Sequence, residues 1–115
     1  MSVKLNTRQV GDVSVVDVAG RITLGEGSSA LRDLLREMVG KGQKHILLNL
    51  GEVSYIDSSG IGELVSGFTT VTNSGGQLKL LGLNKRVKDL LQITKLYTVF
   101  EVLDDEAAAV AAFDR

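Results

Sequence analysis

Residues 45–62, which read HILLNLGEVSYIDSSGIG, decide the fold of this chain. The opening segment HILLNL (45–50) is apolar at consecutive positions and bounded by polar residues, which is typical of a strand covered on both faces. The closing segment YIDSSGIG (55–62) carries an aspartate and two serines, residues that are favoured at the start of a helix. Together they predict a central strand and, shortly after it, a strand-to-helix junction.

Outward from this junction, the apolar pattern alternates between strand-like runs and helical spacing. Apolar residues between 31 and 39 recur at intervals of three and four, which predicts an amphipathic helix, and the same spacing returns after residues 57 and 84. In chain order we predict strands over 3–8 and 12–19 joined by a turn at 11–12, a helix over 27–40, the strand over 45–50, a helix that follows the junction and stops at 73–76, a strand over 77–83, a helix from Asn84 to about Ile93, a strand over 97–102, and a short alanine-rich helix from Asp104.

Capping residues set the predicted helix boundaries. Ser28 or Ser29 is expected to cap the first helix, and Gly40 or Gly42 to end it in a left-handed conformation. Asn84 is expected to cap the third helix. The resulting order, β-β-α-β-α-β-α-β-α, predicts an α/β fold with a mixed sheet, an N-terminal antiparallel hairpin and parallel strands joined by right-handed crossovers. No linker composition divides the chain, so residues 1–115 are predicted to form one domain.

Composition excludes several classes of function. The chain has no cysteine, which rules out disulfides and thiolate chemistry, and its 13 basic and 14 acidic side chains give a net charge of −1. Without a positive field, direct binding to nucleic acid is not expected. The apolar runs are far shorter than the ~20 residues that span a bilayer, and no signal peptide is seen at the N-terminus. Cytoplasmic localisation without a membrane span is therefore expected.

The junction at 55–62 suggests a site for an anion. Backbone amides at the start of a helix lack internal partners and carry positive potential, so a phosphate on Ser58 would be stabilised there. Gly60 and Gly62 would let another protein approach the backbone closely. The simpler alternative is that Asp57, Ser58 or Ser59 only caps the helix. Two glycines in the first turns argue against a pure cap, because each costs a helix roughly 0.5–1 kcal/mol relative to alanine.

Catalytic and cofactor sites fit the sequence poorly. A serine hydrolase needs a base, but the only histidine, His45, is expected at the opposite end of the preceding strand, and no glycine elbow surrounds Ser58. Walker and dinucleotide fingerprints are absent, and Asp57, Glu52 and Glu63 lack histidine or cysteine support for a metal. We predict no enzyme activity, no cofactor and no metal.

Two further clusters are interpreted as structural. The basic residues Lys85, Arg86 and Lys88 at a predicted helix start are interpreted as a solvated face rather than a nucleic-acid site. The phenylalanines at 68, 100 and 113 lie on apolar patterns, which favours core positions over stacking platforms.

Residues 47–102, LLNLGEVSYIDSSGIGELVSGFTTVTNSGGQLKLLGLNKRVKDLLQITKLYTVFEV, strongly resemble the STAS domain of bacterial anti-anti-sigma factors, also called anti-sigma factor antagonists. The resemblance extends to the loop GRIT (20–23) and the helix VKDLLQITKL (87–96). It implies successive βα units wound as a superhelix. It also implies that Ser58, directly after the aspartate, is phosphorylated by a partner anti-sigma factor with ATP-dependent serine kinase activity; Ser59 is the rival acceptor.

The same resemblance implies a partner-switching role. The unphosphorylated form would bind the anti-sigma factor and release the sigma factor, and a PP2C-type phosphatase would restore it. Family members often carry an acidic residue where this chain has Thr23, which bears on partner affinity. The alternative is a STAS scaffold or ligand-sensing subunit of a stress-signalling or lipid transport complex that is never phosphorylated. The implied partner-binding residues are Arg21, Thr23, Asp57, Ser58, Ser59, Gly60, Ile61 and Gly62.

Overall fold

The structure, a computed structural model, describes residues 3–113. The five strands form one sheet in the order β1-β2-β3-β4-β5, with β1 antiparallel to β2 and every other neighbouring pair parallel. The predicted α/β class, the N-terminal hairpin and the central position of the third strand are confirmed. The elements are β1 (Val3–Val10), β2 (Val13–Ile22), α1 (Glu26–Gly40), β3 (His45–Ile56), α2 (Ser58–Asn73), β4 (Gln77–Leu81), α3 (Lys85–Ile93), a 3₁₀ turn (Leu96–Thr98), β5 (Val102–Leu103) and α4 (Glu106–Ala111).

The two faces of the sheet are covered unequally. Alternate side chains of β2 and β3 point to opposite faces, as the period of a strand requires. On one face they pack with α1, α2 and α3 in the larger core cluster, which includes Leu35, Leu64 and Leu91. On the other face a smaller cluster forms around Ala109 of α4 and Phe113. The three longer helices therefore share one side of the sheet, and each begins beside the carboxyl end of a strand.

Several predicted strand ends were wrong. β1 ends at Val10 rather than 8, and β2 covers Val13–Ile22 rather than 12–19. β3 does not stop at residue 50 but continues to Ile56, because β2 pairs with it as far as Ile22 opposite Ile56. β4 ends at Leu81 rather than 83, where Gly82 turns the chain with a φ of 73°.

The strand predicted over 97–102 was also wrong. Residues Leu96–Thr98 form a 3₁₀ turn and only Val102–Leu103 pair with β4. The chain is redirected at Lys95, which adopts a left-handed conformation with a φ of 62°. The segment YTVFEV is rich in residues that favour strands. It carries no sign of this turn, because the left-handed residue, Lys95, precedes it.

The caps follow the predictions in part. Asn84 caps α3 by accepting from the amide of Val87 at 2.9 Å, and Gly42 is left-handed after α1 with a φ of 82°. The predicted serine cap of α1 was wrong, because that helix begins at Glu26 after a left-handed Gly25 with no side-chain cap. The last helix is capped by Asp105 rather than beginning at Asp104, since the Asp105 carboxylate accepts from the amide of Ala108 at 2.9 Å.

Candidate functional site

The candidate site lies at the carboxyl edge of the sheet. Because β2, β3 and β4 are parallel, the helices α1, α2 and α3 that follow them all begin at this edge, which is where α/β proteins place their ligands. Residues 55–62, here called the serine corner, occupy the turn from β3 into α2. Arg21 lies opposite Tyr55 in the β2–β3 register, so the predicted loop GRIT is brought beside the corner.

Asp57 is the residue that builds the corner. Its backbone is extended, and its carboxylate accepts from the amide of Gly60 at 2.9 Å as the cap of α2. The other carboxylate oxygen accepts from the amide of Leu24 at 3.0 Å, and the amide of Asp57 donates to the carbonyl oxygen of Ile22. One side chain therefore starts the helix and ties the β2–α1 loop to the β3–α2 junction.

These hydrogen bonds also fix the charge of Asp57. The amides of Gly60 and Leu24 lower the pKa of its carboxyl below the ordinary value, so it is ionised at neutral pH. The predicted anion site at the start of α2 is therefore corrected in one respect, and the alternative that Asp57 caps the helix is confirmed. The amide of Gly60 already donates to the Asp57 carboxylate, so a phosphate on Ser58 would lie beside that carboxylate and would not replace it.

The two adjacent serines differ in exposure. Ser58 is the first residue of α2 and is exposed, whereas Ser59 is half-buried. Within residues 3–113 the side chain of Ser58 makes no hydrogen bond, so the fold does not depend on its hydroxyl. Glu63, one turn further along α2, lies 3.7 Å from Arg32 of α1, which offsets its charge. The hydroxyl of Ser58 is thus free and accessible.

The two glycines of the corner have different roles. Gly60 is buried, and a β-carbon there would collide with the carbonyl oxygen of Ile22 and approach the Ile56 side chain within 2.6 Å. Its predicted role in opening the corner to another protein was wrong, because it packs against β2. Gly62 is exposed and has nothing within 4 Å of where a β-carbon would stand, as the prediction required.

The β2–α1 loop faces the same edge. Ser28 donates from its amide at 3.0 Å and its hydroxyl at 2.9 Å to the carbonyl oxygen of Thr23, which holds that residue in place. Leu24 follows with 78% of its surface exposed. Sequence reasoning missed Leu24; its only signal was a large apolar residue in a loop of glycines and polar residues.

A groove of about 860 Å³ runs between α2 and α3 and has Ser58 on its wall. This α2–α3 groove has the apolar residues Ile61, Leu90 and Ile93 along it and the cations Lys85 and Arg86 at its side. Tyr55 also lines it, with the guanidinium carbons of Arg21 and Arg86 at 4.9 and 5.6 Å from its ring centroid. Cation–π contacts of this kind hold both arginines close to the corner.

The residues of α3 that line the groove were not recognised as part of the site. Their signal was present, because Ile93 is 78% exposed and lies off the apolar stripe that buries Val87 and Leu91. The prediction that the phenylalanines belong to the core is confirmed, since Phe100 and Phe113 are buried and Phe68 packs on the core in a T-shaped contact with Phe100.

Other kinds of site find little support in the described chain. His45 begins β3 and Ser58 follows its end, so the two lie at opposite edges of the sheet. Across residues 3–113 no three histidine, cysteine, aspartate or glutamate side chains cluster as metal ligands would. None of the helices in that range combines the length and apolarity that crossing a bilayer would take.

The STAS domain model matches residues 4–109 of this chain. The chain is a STAS domain. The anti-sigma-B factor antagonist of Bacillus subtilis is 31% identical over 102 residues, which cover 89% of this chain and 92% of the relative. The anti-sigma F factor antagonist of Paenibacillus polymyxa is 24% identical over 115 residues, covering 99% and 97%.

Solved structures show the same architecture. A candidate anti-sigma factor antagonist from Thermotoga maritima superposes with a TM-score of 0.88 at 25% identity, covering 96% of this chain and 95% of its own. The phosphorylated form of SpoIIAA from Bacillus superposes with a TM-score of 0.74 at 18% identity, covering 94% and 97%. The resemblance noted in the sequence is confirmed, and the serine corner of this STAS domain lies where β3 hands over to α2.

Proposed function

We propose that this STAS domain is an anti-sigma factor antagonist that is switched off by phosphorylation of Ser58. In the unphosphorylated form it binds an anti-sigma factor and releases the sigma factor in the cytoplasm. The observation that carries the proposal is the exposed hydroxyl of Ser58, which has no hydrogen-bond partner in residues 3–113 and stands at a corner built entirely by its neighbours. The B. subtilis relative is an anti-sigma-B factor antagonist and the P. polymyxa relative an anti-sigma F factor antagonist, which supports the proposed role.

The chemistry of the switch is supplied by the partner. The Ser58 oxygen forms a bond to the γ-phosphorus of ATP, the bond from that phosphorus to the β,γ-bridging oxygen breaks, ADP leaves, and the hydroxyl proton passes to a base of the kinase. A PP2C-type phosphatase hydrolyses the ester and restores the hydroxyl. The STAS domain is substrate and switch, and catalysis belongs to the other proteins.

Phosphorylation changes charge without disturbing the packing. It adds about −1.5 to −2 charges and three acceptor oxygens at neutral pH. Because Ser58 is exposed and unbonded, the fold survives, whereas the ionised Asp57 beside it adds to the negative potential. A partner packed over the corner meets both bulk and repulsion, so its affinity falls.

The test is phosphorylation with candidate anti-sigma factor kinases and ATP, followed by phosphopeptide mass spectrometry. We expect label on Ser58, none after Ser58→Ala, and full label after Ser59→Ala as the matched control. Ser58→Asp is expected to lose about tenfold or more in affinity for the kinase, while Ser58→Ala binds it even with ATP present. Absence of label with every kinase that binds the domain would contradict the switch and favour a scaffold. Equal binding by wild type and both variants would contradict it as well.

A further inference from the structure

The ring of Tyr55 brings two arginines together at the serine corner. The guanidinium carbon of Arg21 lies 4.9 Å from the ring centroid, and that of Arg86 lies 5.6 Å from it. Arg21 belongs to the end of β2 and Arg86 to the first turn of α3, so the fold itself places both cations at one side chain. Two like charges gathered at one ring repel each other, and an anion that joins them relieves this repulsion.

The two carboxylates that line the α2–α3 groove, Asp57 and Asp89, are engaged elsewhere. The first accepts from two backbone amides, and the second is held by Lys85 at 3.1 Å. Within residues 3–113 neither arginine at the Tyr55 ring donates a hydrogen bond or forms an ion pair. Both arginines are exposed, so their guanidiniums can turn toward an anion without disturbing the core.

Ser58 lies on the wall of the same groove as Tyr55 and Arg86, and only two residues separate it from Tyr55 in the chain. Its hydroxyl is exposed and makes no hydrogen bond in the described residues. A phosphate there adds about −1.5 to −2 charges and three acceptor oxygens, and a guanidinium binds such oxygens through two parallel N–H donors. The proposed switch would therefore attach an anion on the wall where the two arginines are gathered.

We propose that Arg86, together with Arg21, binds the phosphate on Ser58 within the same chain. The inference rests on the proposed function for its ligand, which is the phosphate itself. In the unmodified chain the two arginines face solvent and are open to a partner, whereas in the phosphorylated chain they hold the phosphate. Phosphorylation then withdraws two cations from the partner surface in addition to placing a negative group on it.

The second pKa of the phosphate tests this arrangement by its sign. The ionised Asp57 beside the phosphate favours the monoanion and raises that pKa, whereas bound arginines favour the dianion and lower it. The reference is the peptide YIDSSGIG (55–62) phosphorylated at the same serine, which keeps the aspartate and contains no arginine. A pKa below that of the peptide therefore reports the arginines and not the aspartate.

The experiment uses the full chain with phosphoserine installed at position 58 during translation, so it needs no kinase. Phosphorus NMR, recorded from about pH 4 to about pH 8, gives the second pKa, which is ordinarily about 6. The Nε–H proton signals of the arginines report their contact with the phosphate. We expect the pKa to lie at least about 0.5 below that of the peptide, and the Arg86 signal to move as the phosphate loses its second proton.

Three variants assign the effect. Arg86→Ala should return the pKa to the value of the peptide or above it, and Arg86→Lys, which keeps the charge but loses the two parallel donors, should give an intermediate value. Arg21→Ala should raise the pKa in part. The matched control is Arg36→Ala, which removes an exposed arginine of α1 that does not line the groove and should leave the pKa unchanged.

A second pKa equal to that of the peptide or above it would overturn the inference, and so would equal effects of Arg86→Ala and Arg36→Ala. Failure of the proposed function gives a different result. If no kinase labels Ser58 but the pKa is lowered, the switch is wrong and the binding of the phosphate by the arginines stands. If Ser58 is labelled but the pKa is not lowered, the switch stands and this inference is wrong.

Discussion

The first turn of α2 has two sides that are built for different purposes. On its inner side Gly60 is pressed against the carbonyl oxygen of Ile22, and Asp57 satisfies two backbone amides. On its outer side Ser58 is exposed and unbonded within the described chain, and Gly62 faces open space. Gly60 and Gly62 lie two residues apart in the same helix. Gly60 is required by the packing, whereas Gly62 leaves the surface of the helix open.

The two sides differ in whether their polar groups have hydrogen-bond partners. On the inner side the Asp57 carboxylate has two amide partners, and in the Arg8 cluster the guanidinium bridges Asp17 and Glu106. The outer side leaves the Ser58 hydroxyl without a hydrogen bond in residues 3–113, and Leu24 and Ile93 are each 78% exposed. These exposed groups are the ones that the proposed function uses.

Gly60→Ala is the substitution expected to disturb the packing on the inner side of the turn most. The added methyl group collides with the carbonyl oxygen of Ile22 and the Ile56 side chain, so we expect the free energy of unfolding to fall by about 3 kcal/mol. Urea denaturation measures it. A change under half of that value would mean that the two sides of the turn do not differ as described.

Removing the Asp57 side chain tests the link between the two loops. Asp57→Ala loses the acceptors of the Gly60 and Leu24 amides, so its urea midpoint should fall below that of Asp57→Asn, which keeps one oxygen at the cap. Since folding lowers the pKa of this carboxyl, its contribution is present above the unfolded pKa near 4 and is lost as the pH falls through the folded value. Wild type should therefore approach Asp57→Asn in stability in acid. Equal midpoints for Asp57→Ala and wild type at pH 7 would contradict this role.

The Arg8 cluster extends the comparison to a region in which charged side chains are paired with each other. Arg8 holds Glu106 of α4 with both terminal nitrogens, and this hydrogen bonding lowers the pKa of Glu106. Glu106→Gln should cost about 1 kcal/mol at pH 7, because bidentate arginine pairs exceed ordinary exposed pairs even at roughly one-third exposure. The depressed pKa means that the wild-type advantage is lost as the pH falls through it.

The control for Glu106 is Glu37→Gln, which breaks an exposed pair with Lys41 at 3.0 Å. We expect it to cost no more than about 0.5 kcal/mol. Thermal unfolding of both variants from pH 7 to pH 3 separates the two cases. Equal losses would show that the Arg8 cluster is no better matched than an ordinary surface pair.

Gly62→Ala has the smallest expected effect on the isolated chain. Since nothing lies within 4 Å of the new methyl group, the variant should gain about 0.5–1 kcal/mol in helix stability. If a partner packs over this surface, the same variant should bind it more weakly, which titration calorimetry would detect. Destabilisation comparable with that of Gly60→Ala would remove the distinction between the two glycines.

Much of the fold could be predicted from the sequence because its apolar periods are strong. The run HILLNL predicted the central strand, and the spacing after residues 31, 61 and 87 predicted helices that the structure contains. The strand over 97–102 was wrong because a left-handed Lys95 turns the chain, and lysine carries no local signal for that conformation. The cap of α1 was wrong for a similar reason, since Gly25 begins it without any side-chain acceptor.

Only those parts of the site that follow from local residue preferences could be predicted from the sequence. Aspartate, serine and glycine after a strand predicted the corner, and Asp57 is indeed its cap. The opposite roles of Gly60 and Gly62 depend on the distance to Ile22, which no local pattern encodes. The groove depends on α3 lying beside α2, which no local pattern encodes, whereas Lys85 and Arg86 are exposed as the interpretation of a solvated face requires.

The central claim is that a negative group on Ser58 leaves the fold intact and removes the partner. The most direct measurement compares the enzymatically phosphorylated chain with the unmodified chain, in parallel, for thermal unfolding and for affinity to the anti-sigma factor kinase. We predict unfolding curves that coincide within a few degrees and an affinity that falls at least about tenfold on phosphorylation. A phosphorylated chain that unfolds, or one that binds the kinase as tightly as before, would contradict the account.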